Sequence, residues 1–319
     1  VGVTTTTRAN MIFQLVLFIL PWYASCFTLI TFDVDGTLVK GSGRAAAEGA
    51  HARAFSHAVS EILGGGEQVT PVADALPRHL YHGSTDGLIL LRLARATLQV
   101  ESNEAFKKLD EMFECMYQYI SSMDNEEIAD FITPLPGVLD HLATLATMED
   151  KVLCGLVTGN VEGIARKKMD AVGILNTKAL SPPCNSQRLW LGTEDIGFLG
   201  GFGSDFCSGD IDDLDRNHLD RGEQIAIATK RGKNILGEGK LKRVVHVGDA
   251  PADVLAAKWF SEAKEDDSLC VGMVAVATGS YSADDLRELA GETVEGRWEP
   301  VILEEGMADA GFLKACGIQ

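Results

Sequence analysis

A chain of 319 residues, 46% of them hydrophobic, is longer than one small domain and apolar enough to bury a sizeable core. Its 28 basic and 46 acidic residues give a formal charge of −18, which argues against nucleic acid or anionic membranes as partners. The seven cysteines (26, 115, 154, 184, 207, 270 and 316) show no metal-ligand spacing and are odd in number, so reduced thiols are expected, with Cys184 and Cys207 the one pair placed to bridge a loop.

Met11–Leu20 is an apolar segment of signal type, and Ala24-Ser25-Cys26 has the small residues of a cleavage site. Residues 1–26 therefore read as a signal-like or disordered segment. It is secretory or, because Ala24–Phe27 resembles a plastid-targeting junction, plastid-directed, with a cytoplasmic location as the alternative. The apolar stretch through Phe32 is long enough to span a membrane. Its last residues are needed as the first core strand, so no stable membrane span is expected. That strand ends in Asp33-Val34-Asp35-Gly36-Thr37, two carboxylates at a position that is costly unless a cation or substrate uses it.

Helical patterns follow over Ala45–Leu63, Leu88–Leu98 and Ala105–Ser122, with no strand-like alternation, until Thr133-Pro-Leu-Pro-Gly137 makes a stiff hinge. The apolar strand 151–157 ends in Thr158-Gly159-Asn160. Residues 177–202, with Ser181-Pro-Pro-Cys184 and many glycines, read as an inserted surface loop. The acidic run 209–216 lacks the twelfth-position glutamate of a calcium loop and reads as a solvated loop. A helix over Gly222–Lys230 precedes the strand 243–247, which ends in Gly248-Asp249, with Asp253 one helical turn on. Another strand, Gly272–Ala277, a helix from Ala283 and a short strand Trp298–Leu303 close the chain.

Three strands that each deliver polar residues at their C-terminal ends, each followed by a helix, describe an α/β fold with parallel strands converging on one site. The chemistry that suits these residues is phosphoryl transfer, where catalysis is positioning plus charge neutralisation. Asp33 is placed to act as nucleophile and form an aspartyl-phosphate. Asp35 is placed as general acid and then base. Thr158 offers a hydroxyl to phosphoryl oxygens at a helix start that itself favours anions. Asp249 and Asp253 suit Mg²⁺, a hard cation that takes one or two carboxylates plus water and phosphate oxygens.

Asp33-x-Asp35-Gly36-Thr37, Thr158-Gly159-Asn160 and Gly248-Asp249-x-x-x-Asp253 resemble motifs I, II and IV of the haloacid dehalogenase superfamily, in its phosphoglycolate phosphatase-like branch, over roughly residues 27–290. The resemblance implies a Rossmann-like parallel-sheet core of residues 27–42 and 134–319, with an inserted α-helical C1 cap of residues 43–133. It implies a Mg²⁺ shell of Asp33, the backbone carbonyl of Asp35, Asp249 and Asp253, and substrate contacts from Gly159 and Asn160. Related caps turn a Gly-x-Thr-Asp stretch toward the catalytic face, which makes Thr85 and Asp86 substrate-side candidates. The basic residue of motif III departs from the usual lysine pattern. Counting back from the third strand places Arg221 there at the start of a helix, with Lys230 as the alternative. The carboxylate at position 35 speaks against metal-free dehalogenase chemistry. The implied activity is Mg²⁺-dependent hydrolysis of a small phosphorylated metabolite, phosphoglycolate-like, by a monomer or homodimer. A phosphomutase of the β-phosphoglucomutase type and a non-catalytic binding protein of the same fold are the alternatives.

Overall fold

The computed structural model describes residues 26–41, 49–148, 150–175, 199–237 and 239–318. The signal-like segment before Cys26, Cys184 and most of the expected 177–202 loop lie outside the described residues. Apolar runs form the strands β1 (Phe27–Phe32), β4 (Val152–Thr158), β5 (Gly200–Phe202), β6 (Leu241–Gly248), β7 (Cys270–Val276) and β8 (Trp298–Leu303), which join in one sheet of order β5-β4-β1-β6-β7-β8. Every pairing in it is parallel. The continuous burial of β4 is the pattern of a strand covered on both faces. Two further short strands, β2 (Val39–Gly41) and β3 (Ile132–Pro134), pair antiparallel as a separate ribbon.

Between β2 and β3 the chain forms α1 (Ala50–Ile62), α2 (Val72–Ala75), α3 (Asp86–Leu98), α4 (Ser102–Phe106), α5 (Leu109–Ser121) and α6 (Asn125–Ala129). After β3 come α7 (Val138–Ala146), α8 (Glu162–Ala171), α9 (Arg216–Leu236), α10 (Pro251–Ala263), α11 (Ala283–Ala290) and α12 (Phe312–Ala315). Alternation along the sheet sorts the core. Ile30 and Phe32 of β1 pack with Leu142 of α7, Met169 of α8 and Phe312 of α12, while Leu29 faces Ile225 of α9, Val254 of α10 and Leu286 of α11.

The helices α1–α6 have their own apolar cluster. Leu109, Met112, Phe113, Met116 and Ile120 make a stripe along α5 at helical spacing, and it packs with Ala54 and Ala58 of α1 and Leu91 of α3. Val161 and Ile164 at the start of α8 join that cluster, so the helical unit is seated on the sheet layer rather than held only by its two connections. The expected helix 105–122 is divided at Lys107–Lys108. The expected proline hinge is part of a paired ribbon, with Leu135 N–H donating to Leu38 O at 3.0 Å.

Two other expectations are corrected. Gly200-Gly201-Phe202 is not surface loop but the edge strand of the sheet, parallel to β4. Its glycines serve close packing: a Cβ on Gly201 would lie 2.0 Å from the backbone O of Gln224 in α9. The helix carrying Arg221 starts six positions earlier than expected, at Arg216. Gly222, which reads as a helix start, is instead where α9 crosses α10, since a Cβ there would meet the Trp259 ring at 2.3 Å. No helix among the described residues is long and apolar enough to cross a membrane.

Two glycines give a paired test of this packing. Gly201→Ala pushes against backbone that cannot rotate away and should destabilise the protein by about 1–3 kcal/mol. Gly232→Ala in α9 meets only ordinary contacts, the nearest Leu29 Cδ2 at 3.4 Å, and should be neutral or stabilising by up to about 1 kcal/mol through helix propensity. Urea unfolding of both variants checks the order, and the reverse order would contradict the edge-strand packing.

Candidate active site

β1 lies between β4 and β6, which the chain reaches on opposite sides, so a crevice opens beyond its carboxyl end. Asp33 N–H continues the ladder by donating to Val247 O at 2.9 Å, and the chain then turns back, with Leu38 N–H donating to Val34 O at 2.9 Å. Gly36 in that turn has φ +90°, and a Cβ on it would lie 2.3 Å from Asp249 Oδ2. Glycine is required there twice over, for the conformation and for the space that the Asp249 carboxylate fills. Thr37 Oγ1 donates to the other oxygen, Asp249 Oδ1, at 3.1 Å.

Asp249 follows β6 directly, and Asp253 stands in the first turn of α10, where its Oδ2 accepts from Ala250 N–H at 3.0 Å. One oxygen each from Asp33, Asp249 and Asp253 lie within 4.8 Å of one another, and all three residues are buried. This is the one group of potential metal ligands among the described residues. The acidic run 209–216 is instead tied up in surface pairs such as Arg95 Nη1 to Asp212 Oδ1 at 2.7 Å.

Arg221, in the second turn of α9, places Nη1 3.4 Å from Asp33 Oδ2 and also donates to Asp253 Oδ1. His246 Nε2 is 3.2 Å from the same Asp253 oxygen, and Thr31 Oγ1 is 3.0 Å from His246 Nδ1. Lys230, the alternative to Arg221, is exposed late on α9 and takes no part.

Charge in this pocket is unbalanced. Burial pushes the Asp33 carboxyl up to about 6; Arg221 pulls it down, and repulsion from Asp253 and Asp35 adds to the rise. Burial, with Asp253 and Asp33 nearby, pushes Asp249 well above the usual carboxylate range. Asp253 goes the other way: burial works against its charge, but Arg221 and His246 outweigh it and hold its pKa below the ordinary value. Arg221 is correspondingly raised, burial being overcome by Asp253 and Asp33.

Asp35 points away from this cluster, and its side chain is 48% exposed. Lys168 Nζ donates to both its oxygens, at 2.9 and 2.7 Å, and Asn160 Nδ2 donates to Oδ2 at 2.9 Å. Partial loss of its water raises its pKa, but Lys168, His51 and these hydrogen bonds more than offset that and hold it at about 2. Lys168 also donates to Asn160 Oδ1 at 2.7 Å and to His51 Nδ1 at 3.0 Å. An ammonium only donates, so His51 carries its proton on Nε2, which donates to Asp86 Oδ2 at 3.0 Å. The same Asp86 oxygen accepts from Val161 N–H at 2.8 Å. A hydrogen-bonded chain Asp86–His51–Lys168–Asp35 thus joins the helical unit to the tip of β1.

Asp33, Asp35, Asp86, Gly159, Asn160, Arg221 and Asp249 line one cavity of 210 Å³. Thr158 is buried behind it, its Oγ1 accepting from Asn160 Nδ2 at 2.8 Å. Thr85 does not line the cavity. It is fully buried and caps α3 by accepting from Leu88 N–H at 3.5 Å. Asp86 does line it, but its carboxylate is engaged by His51 and Val161. Lys168 and His51 were missed in the sequence. Lys168 carried a signal, since it shares the buried stripe of α8 with Ile164, Ala165 and Met169, where an amine needs a partner. Cys207 forms no disulfide in the structure.

Among solved structures, the chain is similar to a predicted phosphoglycolate phosphatase from Haemophilus somnus 129PT at 16% identity, with 90% of this chain and 97% of that one covered and a TM-score of 0.45. It is similar to CbbY from Rhodobacter sphaeroides in complex with phosphate at 15% identity, 92% and 100% coverage and a TM-score of 0.44. A third is an archaeal β-phosphoglucomutase from Pyrococcus sp. strain ST 04, at 16% identity, 80% and 88% coverage and a TM-score of 0.34. At such identities and scores they say nothing about substrate. No curated protein matches the chain. A family model, haloacid dehalogenase-like hydrolase, matches residues 27–260, from the first residue of the strand that delivers Asp33 into the helix that carries Asp253, and the chain belongs to that family.

Proposed function

We propose that this hydrolase is a Mg²⁺-dependent phosphomonoesterase that works through an aspartyl-phosphate on Asp33. The observation that carries the reading is the buried trio Asp33, Asp249 and Asp253 facing a single arginine at the carboxyl end of β1. Three carboxylates against one guanidinium leave uncompensated charge in a buried place, and burial together with this repulsion raises the pKa of Asp33 and Asp249 above the ordinary carboxylate range. A hard divalent cation with oxygen ligands fits that donor set. Asp33 and Asp249 would hold it, while Asp253, whose oxygens already serve Arg221, His246 and the Ala250 N–H, fixes the arginine and closes the acidic wall. When bound, Mg²⁺ neutralises phosphoryl oxygens and keeps Asp33 ionised for attack.

The chain's own residues perform the rest. The Asp33 carboxylate attacks phosphorus, the bond to the ester oxygen breaks, and that oxygen takes a proton from Asp35. An incoming phosphoryl dianion beside Asp35 favours its protonated form, against the pull of Lys168. In the second step the Asp35 carboxylate removes a proton from water, which attacks the acyl-phosphate and frees Asp33 and inorganic phosphate. Arg221 holds a phosphoryl oxygen against Asp33. Thr158, buried behind the cavity, orients Asn160 by accepting from its Nδ2, and Asn160 faces the phosphoryl group. Gly159 lets the segment at Ser84 approach, since a Cβ on it would lie 2.5 Å from Ser84 O. The helical unit of residues 43–133 is read as a cap that shields the acyl-phosphate from stray water.

The purified chain should release phosphate from phosphomonoesters with Mg²⁺ and lose that activity on chelation. Asp33→Asn should lower the rate by at least about 10³-fold with the fold intact. Undiminished activity in the chelated enzyme or in the variant would overturn the reading.

Acid–base linkage gives a second check. A buried carboxyl raised to about 6 costs stability once ionised, so without divalent cations its contribution falls as pH rises from about 4 through 6. Asp33→Asn removes that cost. The metal-free variant should melt above the metal-free wild type at pH 8, by at most about 3 kcal/mol for a shift of roughly two units, and the gap should close toward pH 4. A gap that widens on acidification would contradict the assignment.

A further inference from the structure

The cavity over Asp33 does not end at Asp35. It continues into a chamber of 460 Å³ that shares Asp35, His51, Phe55, Tyr81, His82 and Ile89 with it, a volume suited to a whole ligand rather than a few waters. The inner wall is Phe55, Ile89, Ile120, Ile128 and Ile164, all under 9% exposed, with half-buried Phe131 beside them. These side chains come from α1, α3, α5, α6 and α8, so the chamber lies between the helical unit and the sheet layer. Among the described residues its cations are Lys168 and Arg78. Lys168 is bonded to Asp35, Asn160 and His51, and Arg78 stands exposed at the rim, donating to Ser280 Oγ.

We propose that this chamber receives the alcohol half of the substrate, and that the natural substrate is a phosphomonoester of a bulky, mainly apolar alcohol of aromatic-ring size rather than phosphoglycolate. The inference rests on the phosphatase reading above, because it is Asp35, at the junction of the two cavities, that protonates the leaving oxygen. The alcohol attached to that oxygen has to extend from Asp35, and the space there is walled by phenylalanine and isoleucine. The carboxylate of a glycolate leaving group would give up its water against that wall, and the one described lining cation outside the Lys168 network, Arg78, stands at the exposed rim. A sugar's hydroxyls would likewise lose hydrogen bonds against the phenylalanine and isoleucine wall, polar partners such as Tyr81 and His82 standing only at the end shared with the Asp33 cavity. A ring or branched chain loses nothing polar and gains from burial.

The test compares kcat/KM for 2-phenylethyl phosphate, ethyl phosphate and phosphoglycolate, three alkyl esters chosen so that leaving-group acidity does not set the ranking. Acetyl phosphate serves as a donor whose small leaving group makes little use of the chamber. The phenylethyl ester should exceed the ethyl ester by about 10–10²-fold, the range for burying several apolar carbons, and exceed phosphoglycolate by more. Phe131→Asp should cut the phenylethyl-to-ethyl ratio about tenfold or more. Hydrolysis of acetyl phosphate together with a phosphoglycolate rate equal to or above the phenylethyl rate would overturn the substrate class and leave the phosphatase reading standing. No phosphate from any donor, acetyl phosphate included, would overturn the phosphatase reading and the substrate class with it.

Discussion

Burying Asp33, Asp249 and Asp253 around one guanidinium is the constraint to which the surrounding structure answers. Each carboxylate would pay heavily for leaving water alone, and the fold offsets this unequally. Asp253 receives Arg221, His246 and a backbone N–H. Among the described residues Asp249 receives a side-chain hydrogen bond from Thr37, and it fills the space left by Gly36. Asp33 has Arg221 at one oxygen. The deficit is therefore concentrated on the two residues that open to the cavity, and it is there that the proposed cation and phosphoryl group would gain most. Arg221 on α9 meets Asp253 on α10 next to the point where Gly222 lets the two helices cross closely.

A second set of contacts ties the helical unit to that centre. Asp86 accepts from the backbone at Val161 and from His51, His51 accepts from Lys168, and Lys168 holds Asp35. Two of these residues belong to the helices α1 and α3 and two to the sheet layer. The Asp35 side chain is thus oriented by both halves of the molecule. Seating of the helices and orientation of Asp35 therefore share the same hydrogen bonds.

Much of this was legible in the amino-acid sequence for a simple reason. Strands buried on both faces read as unbroken apolar runs, so the polar residues that end them, Asp33, Thr158 and Asp249, stand out against their surroundings. Arg221 could be placed by counting from the strand that follows it. What was not legible depends on distance across the fold. Gly222 and Gly201 look like breaks, yet they are points where backbone meets a neighbouring element. Thr85 looks like part of a substrate motif, but its hydroxyl is used locally at a helix start. His51 is an ordinary residue of an amphipathic helix until Lys168 and Asp86 are placed on either side of it.

The claim on which the account turns is that Asp33 becomes covalently phosphorylated. Quenching the enzyme during turnover with a hydrolysed phosphomonoester and Mg²⁺, reducing with borohydride and mapping the peptides by mass spectrometry tests it directly. The account predicts that residue 33 alone is converted from aspartate to homoserine, in proportion to the acyl-phosphate present. Steady release of phosphate with position 33 unmodified, or modification at another residue, would contradict it.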